Sequence, residues 1–149
     1  MNNSGVSIVE LLVVVGITLI LAATAVPIYG NLQVSAQINE NSAQIVQAMR
    51  IAREKSVSGN NNSRYGVKFE SDRYILYQGS SYPSRNSDYD REVVLNEALV
   101  ISSTFTNDEI NFSKGSGLPD QSGTTTLKHR LGDQAVIFVN QYGLVERKQ

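Results

Sequence analysis

Residues 4–16 read SGVSIVELLVVVG, and in this stretch one carboxylate, that of Glu10, precedes an otherwise apolar run. It is the only charged side chain before Glu40. As an α-helix, the 19 residues from Leu11 to Tyr29 would be roughly 28 Å long at about 1.5 Å per residue, close to the ~30 Å hydrocarbon thickness of a bilayer. Residues 6–29 are therefore predicted to form a membrane-spanning helix.

The composition excludes several classes of protein. The chain has 149 residues, enough for one folded domain with an appendage, and a net charge of -1, which argues against nucleic acid as a general partner. It has no cysteine, so disulfide bridges, thiolate zinc sites and thiol nucleophiles are absent.

The apolar stretch has two alternative interpretations, a buried core helix and a cleaved secretory signal. A buried core helix would show a polar face, and residues 11–25 show none. A cleaved secretory signal fits the small residues Ala23 and Ala25 before a cut at Val26, and it would release a secreted β-domain. Against it, residues 1–5 carry no Lys or Arg, and Glu10 lies where such signals rarely carry an acid.

Glu10 needs a cationic partner. Placing an acidic residue in the middle of a membrane helix costs roughly 2.5 to 3.5 kcal/mol, and less near a helix end. The nearest basic side chain along the chain is Arg50, some 60 Å away on a continuous helix. The partner must therefore come from elsewhere.

The arrangement of Gly5, Val6, Glu10, the apolar run and Pro27 resembles the type IV prepilin signature, whose usual form is Gly-Phe-Thr-Leu-Ile-Glu-Leu-Leu. The resemblance implies that a membrane peptidase cuts between Gly5 and Val6, and that the new N-terminal residue is commonly methylated. Here Val6 replaces the common Phe, and the leader lacks the basic residue that family leaders usually carry.

In that family the freed amino group supplies the missing cation. Glu10 of an incoming subunit would pair with the Val6 ammonium of a neighbour during filament assembly. Two unit charges about 4 Å apart at an effective dielectric constant near 20 attract by roughly 4 kcal/mol, which is comparable to the insertion cost.

Beyond the apolar stretch, the sequence predicts an amphipathic continuation of the helix over residues 30–58. Apolar and small residues recur at steps of three and four, at Leu32, Ser35, Ile38, Ser42, Ile45, Met49 and Ala52. The stretch SGNNNS at residues 58–63 predicts the end of this helix. Pro27 is expected to kink the helix and not to end it, although a plain helix boundary there is the alternative.

The remainder, residues 64–149, is predicted to be a β-rich globular domain. Strands are expected at residues 64–69, 73–78, 93–95, 99–105, 110–112, 125–129 and 135–139 and around Val145, and exposed loops at 79–91 and 114–124. The fold class is therefore α+β, with a long N-terminal helix packed on antiparallel β-sheets. This order of elements is similar to the GspH/FimT group of minor pilins and pseudopilins.

The sequence contains no convincing catalytic or metal site. His129 is the only histidine, and in its strand-like surroundings it is expected on a sheet surface. Asp88, Asp90 and Glu92 are acidic residues of a predicted loop, but they lack the spacing of a calcium loop. We expect no enzymatic activity, no cofactor and no bound metal.

A DNA-binding minor pilin, active in DNA uptake, is the alternative function. Lys128, Arg130, Arg147 and Lys148, with His129 beside them, would form its basic patch. Without Glu10 the exported part has 13 acidic and 13 basic residues, so no strongly basic face is predicted.

The sequence thus predicts a structural subunit of a type IV pilus or a type II secretion pseudopilus. The resemblance implies a single-pass protein of the bacterial inner membrane, with its globular domain periplasmic or extracellular and then carried in the filament. The implied partners are other pilin or pseudopilin subunits, prepilin peptidase, the inner-membrane assembly machinery and membrane lipid. Gly5 and Val6 are the predicted processing residues, and Glu10 and Pro27 the predicted assembly residues.

Overall fold

A computed structural model describes residues 6–148 of the chain, apart from the side chains of residues 24–29. Gly5, one of the two predicted processing residues, lies outside this part. The elements in chain order are α1 Ile8–Val57, β1 Tyr65–Phe69, β2 Arg73–Gln78, β3 Asn86–Val94, β4 Leu99–Ser103, β5 Glu109–Phe112, β6 Gly123–His129, β7 Gln134–Val139 and β8 Val145–Lys148. Short 3₁₀ turns lie at Asn60–Asn62 and Thr106–Asp108. The chain divides into two compact units after Ser35.

The predicted single long helix is confirmed. α1 runs to Val57, and Gly59 with a φ of 63° starts the turn that follows, because glycine adopts this left-handed conformation without strain. The helix passes through Pro27 without ending, so the alternative of a helix boundary there is wrong.

The second unit contains two antiparallel four-stranded sheets. The strand order is β3-β2-β1-β5 in sheet 1 and β4-β6-β7-β8 in sheet 2. β1 and β2 form the predicted hairpin, with Phe69 paired to Tyr74 around the turn. The α+β class predicted from the sequence is confirmed.

One core joins the second unit's part of α1 to both sheets. The helix contributes Ile38, Ile45, Met49 and Ala52 from its predicted apolar stripe. Since side chains alternate across a strand, every second strand residue faces this core. The buried strand residues include Tyr65, Val67, Phe69, Tyr74, Leu76, Leu99, Ile101, Ile110, Phe112, Leu127, Ala135, Ile137, Val139 and Val145.

A buried serine anchors the first strand to the end of the helix. The Ser56 hydroxyl accepts a hydrogen bond from the Tyr65 backbone N–H at 2.9 Å, and the Ser56 carbonyl accepts one from Gly115 N–H at 2.9 Å. This polar side chain is tolerated in the core because it has a partner there.

The prediction of a loop over residues 79–91 was partly wrong. β3 begins at Asn86, not near residue 93 as expected. It is an edge strand whose side chains are mostly exposed, so its sequence NSDYDREVV is polar and lacks the alternation by which a half-buried strand is recognised.

Residues 79–85 fold over the outer face of sheet 1. The Tyr82 ring packs edge-on against the buried Tyr77 ring, with ring centroids 5.5 Å apart, and the Tyr82 N–H donates to a Glu109 carboxylate oxygen at 2.9 Å. Burial, with Glu109 nearby, raises the pKa of the Tyr77 hydroxyl. The outer face of this sheet therefore contributes to the folded core as well.

His129 was predicted on a sheet surface, and this prediction was wrong. It is buried at the end of β6 with 6% of its surface exposed. Its backbone N–H donates to Asp133 O at 2.7 Å, and its ring Nδ1 accepts from Leu131 N–H at 3.1 Å. The side chain closes the β6–β7 turn, a role that the strand alternation of its neighbours does not reveal.

Gly66 gives a direct test of this packing. A Cβ atom there would lie 2.5 Å from Asn111 Oδ1 and 2.6 Å from Ile110 O. We expect Gly66→Ala to destabilise the fold by about 1 to 3 kcal/mol through overpacking. Thermal unfolding of the full-length protein in detergent measures this. Gly16→Ala, where the Cβ meets nothing within 4 Å, is the control that should not lower the unfolding temperature. Equal midpoints for the two variants would contradict the packing described here.

Candidate assembly site

The N-terminus of α1 is capped by its own sequence. The Ser7 hydroxyl accepts from the Val9 backbone N–H at 3.3 Å, and Leu11 N–H donates to Ser7 O at 3.1 Å. Glu10 lies in the first turn, three residues after Ser7. This is the Ser-x-x-Glu spacing of a capping box, in which a carboxylate near the helix N-terminus is favourable. Ser7 was not among the predicted site residues, although this spacing indicates its capping role.

From Ile8 to Leu21 the helix carries apolar side chains on all sides, apart from Glu10 and Thr18. The large apolar side chains from Ile8 to Leu21 are all exposed, from 44% for Val15 to 79% for Ile8. The Thr18 hydroxyl donates back to the helix, to Val14 O at 3.0 Å and Val15 O at 2.9 Å, so it presents no unsatisfied polar group to an apolar environment.

Glu10 is the exception on this surface. It is exposed, and none of the ion pairs found in the described part of the chain involves it. Favourable placement at a helix N-terminus contributes about 0.3 to 1 kcal/mol, less than the roughly 2.5 to 3.5 kcal/mol cost of an acid in a membrane helix. The cap would therefore offset only part of the cost of burying Glu10 in a membrane.

Of the other predicted assembly and processing residues, Val6 is exposed and lies one residue before the cap. Pro27 lies within α1. Across the residues that the structure describes, no helix has the length and apolar character needed to cross a bilayer.

The proposed basic patch is divided by the fold. Lys128 and Lys148 are exposed on the outer face of sheet 2, where their paired neighbours are Gln134 and Val136. Arg147 belongs to the opposite face and donates to Asn39 Oδ1 of α1. Arg130 lies in the turn after β6.

The same outer face carries an acid and apolar groups. Glu146, paired with Phe138, is exposed beside the two lysines. Only two of the four candidate side chains therefore share a face, and that face is mixed in charge.

The acidic residues of β3 do not converge on a metal position. Asp90 pairs with Arg85 at 2.7 Å and Glu92 with Arg73 at 2.5 Å. Within residues 6–148, no group of three or more His, Cys, Asp or Glu side chains is placed to hold a metal ion.

Two arginines near the end of α1 donate hydrogen bonds to backbone carbonyl groups of later segments. Arg50 donates to Val145 O at 3.1 Å, and Arg53 donates to Gly117 O at 3.2 Å. These bonds hold the start of β8 and the loop after β5 against the helix. Long-range contacts of this kind leave no signal in the local sequence.

Comparison with known proteins identifies solved structures with a similar fold. The sequence matches no protein-family model and no curated protein. The structure is similar to the minor pseudopilin EpsH of the type 2 secretion system of Vibrio cholerae, with a TM-score of 0.59 and 12% identity over 75% of this chain and 96% of that one. It is also similar to the type IV minor pilin FimU of Pseudomonas aeruginosa, with a TM-score of 0.63 and 11% identity over 77% of this chain and 90% of that one.

The chain has a type IV pilin-like fold of the GspH type. A second structure of EpsH gives the same result, with a TM-score of 0.54 and 14% identity. The pilin-like fold predicted from Gly5, Glu10, Pro27 and the order of elements is thus confirmed, while the roles of these individual residues stay predictions.

Because the four basic residues do not share one face, we expect that DNA binding does not depend on them. Replacing Lys128, Arg130, Arg147 and Lys148 together by Ala should leave DNA retardation by the full-length protein unchanged at moderate salt, because no common basic face exists to lose. Retardation at two salt concentrations measures this, since phosphate contacts weaken with salt. Strong, salt-sensitive retardation that the substitutions abolish would restore the DNA-uptake alternative.

Proposed function

We propose that the protein is a structural subunit, a minor pilin or pseudopilin, of a type IV pilus or a type II secretion pseudopilus. The observation that carries this proposal is a lone carboxylate on an exposed apolar helix, attached to a domain with the fold of minor pilins and pseudopilins. EpsH and FimU are described as subunits of such systems.

Processing creates the cation that Glu10 lacks. Prepilin peptidase hydrolyses the peptide bond between Gly5 and Val6, consuming one water and leaving a leader carboxylate and a Val6 amine. This amine is protonated at neutral pH, since an α-amino group has a pKa near 8. It lies at the start of α1, immediately before Ser7, where a neighbouring subunit's Glu10 can reach it.

Before assembly, residues 6–29 hold the subunit in the bacterial inner membrane, with the globular unit on the periplasmic side. Lipid solvates the apolar side chains there. Glu10 alone is poorly solvated, so transfer into a filament of apolar helices is favoured once the Val6 ammonium of a neighbour pairs with it. The inner-membrane assembly machinery catalyses this transfer.

Two substitutions separate charge pairing from helix capping. Gln preserves a capping box but carries no charge, whereas Ala removes both the cap and the charge. We expect Glu10→Gln and Glu10→Ala both to lower incorporation into filaments by about tenfold or more, the factor that corresponds to roughly 1.4 kcal/mol. Immunoblotting of sheared filament and membrane fractions measures incorporation.

Glu146→Ala is the matched control, because it removes an exposed carboxylate from the second unit. It should assemble normally, and all three variants should accumulate in the membrane fraction. Normal incorporation of Glu10→Gln with loss for Glu10→Ala would show that Glu10 acts only as a cap. Normal incorporation of both would contradict the proposed function of this residue.

A further inference from the structure

A groove lies between α1 and the edge of sheet 1, within the second unit. One wall is a single face of α1, since its lining residues recur at steps of three and four. These residues are Glu40, Ala43, Gln44, Gln47, Ala48 and Ile51. Arg91 and Val93 of β3 form the other wall, and Tyr74 and Leu76 of β2 form the floor. The volume of about 560 Å³ is within the range of binding pockets in proteins.

The groove opens onto the hydrophobic core. Tyr74 and Leu76 on its floor are core residues that are 3% and 4% exposed. Ile51 and Val93, one on each wall, pack against the same core but are only partly buried. A partner in the groove would therefore cover apolar surface that the chain leaves open to water, which favours binding.

Two polar groups in the groove have no partner within residues 6–148. The Tyr74 hydroxyl makes no hydrogen bond there, although the side chain is almost fully buried. Arg91 is exposed and belongs to none of the ion pairs in this part of the chain. Burial raises the pKa of the Tyr74 hydroxyl, and the charge of Arg91 opposes this rise, so the two groups lie near each other. A hydroxyl and a guanidinium side by side can both donate to a carboxylate.

β3, beside the groove, is an edge strand that pairs only with β2. The Asp88 N–H donates to Asn86 Oδ1 at 3.2 Å, and the other outward backbone groups of β3 have no partner in the described part of the chain. The first half of β3 has an irregular register, whereas residues 91–94 pair regularly with β2. A regular edge with free N–H and C=O groups is a template for a further strand.

A second copy of this chain does not suit this edge. β3 has three carboxylates and one guanidinium, so two such strands side by side would repel each other. The side chains of β3 that line the groove are Arg91 and Val93, so a second β3 would bring no carboxylate to Arg91. The complementary group must come from a different polypeptide.

We propose that this groove and the free edge of β3 bind an extended segment of a different polypeptide by strand addition. The segment pairs with residues 91–94, and its alternate side chains enter the groove. These inward side chains are apolar except for one carboxylate, which Arg91 and the Tyr74 hydroxyl bind. The inference goes beyond the filament function and does not depend on Glu10.

Selection of random 12-residue peptides on the full-length protein in detergent tests the proposal, because the pattern of the selected peptides reports their bound conformation. Peptides that bind elsewhere are removed by a parallel selection on Ala43→Trp, which fills the groove from α1. Ala36→Trp is the matched control, since Ala36 is an exposed alanine of α1 that does not line the groove. Both variants should unfold at the temperature of the unsubstituted chain, because both alanines are exposed.

We expect the selected peptides to alternate apolar and polar residues, with Asp or Glu at one of the apolar-side positions. Such a peptide should bind Ala43→Trp at least about tenfold more weakly than Ala36→Trp, a loss typical of a blocked central pocket. Fluorescence anisotropy of the labelled peptide measures this. Arg91→Glu should select Lys or Arg in place of the acid, whereas Arg130→Glu, in the turn after β6, should leave the preference unchanged.

Backbone methylation of a selected peptide separates strand addition from side-chain binding alone. In an added strand, alternate amide groups face β3 and the others face away. N-methylation of the set that faces β3 should abolish binding, and N-methylation of the other set should leave it unchanged.

Four results would overturn the proposal. Apolar residues spaced by three and four would show that the groove binds a helix. No peptide with a preference for Ala36→Trp over Ala43→Trp would show that the groove binds no peptide, and equal effects of the two methylated sets would show that the β3 edge is not used. A dimer of the unsubstituted chain in analytical ultracentrifugation that Ala43→Trp abolishes would assign the groove to a second copy. None of these results bears on Glu10, so the proposed function is tested separately.

Discussion

The proposed assembly depends on one electrostatic constraint, the lone carboxylate of Glu10 among the exposed apolar side chains between Ile8 and Leu21. Placement of a carboxylate at a helix N-terminus stabilises the helix by at most about 1 kcal/mol, whereas burial of an acid in an apolar environment costs several times more. No ion pair in the described chain includes this group. In the proposed function, a positive charge near the start of a second subunit's helix offsets this cost and makes association favourable.

The globular unit is stabilised in a different way. Its part of α1 shares one apolar core with two antiparallel sheets, and buried polar groups such as Ser56 tie the strands to the helix. Arg50 and Arg53 donate to carbonyl groups of later segments, so the helix also fixes the loops at its own terminus. The core and these hydrogen bonds thereby hold the segments around the end of α1 in place.

Much of the architecture could be read from the sequence because the helical and strand periods are strong. The end of α1, the β1–β2 hairpin and the strands of sheet 2 follow apolar spacing and turn residues closely. The start of β3 was predicted too far along the chain. An exposed edge strand has no buried face, so its sequence does not alternate between apolar and polar residues. His129 was misplaced because its burial depends on a turn with Asp133 and Leu131. The prediction of one basic patch was wrong for a similar reason. Residues adjacent in a strand, such as Arg147 and Lys148, point to opposite faces of the sheet.

The mature N-terminus is the most direct test of the central claim, because it decides whether Glu10 is present in the working protein and whether a free amine precedes it. Mass spectrometry of the intact protein recovered from membranes and filaments measures this. We predict a mature chain that begins at Val6 and retains residues 6–29. A chain that begins at Val26, after the small residues of a secretory cut, would lack both the carboxylate and the apolar helix and would contradict the account.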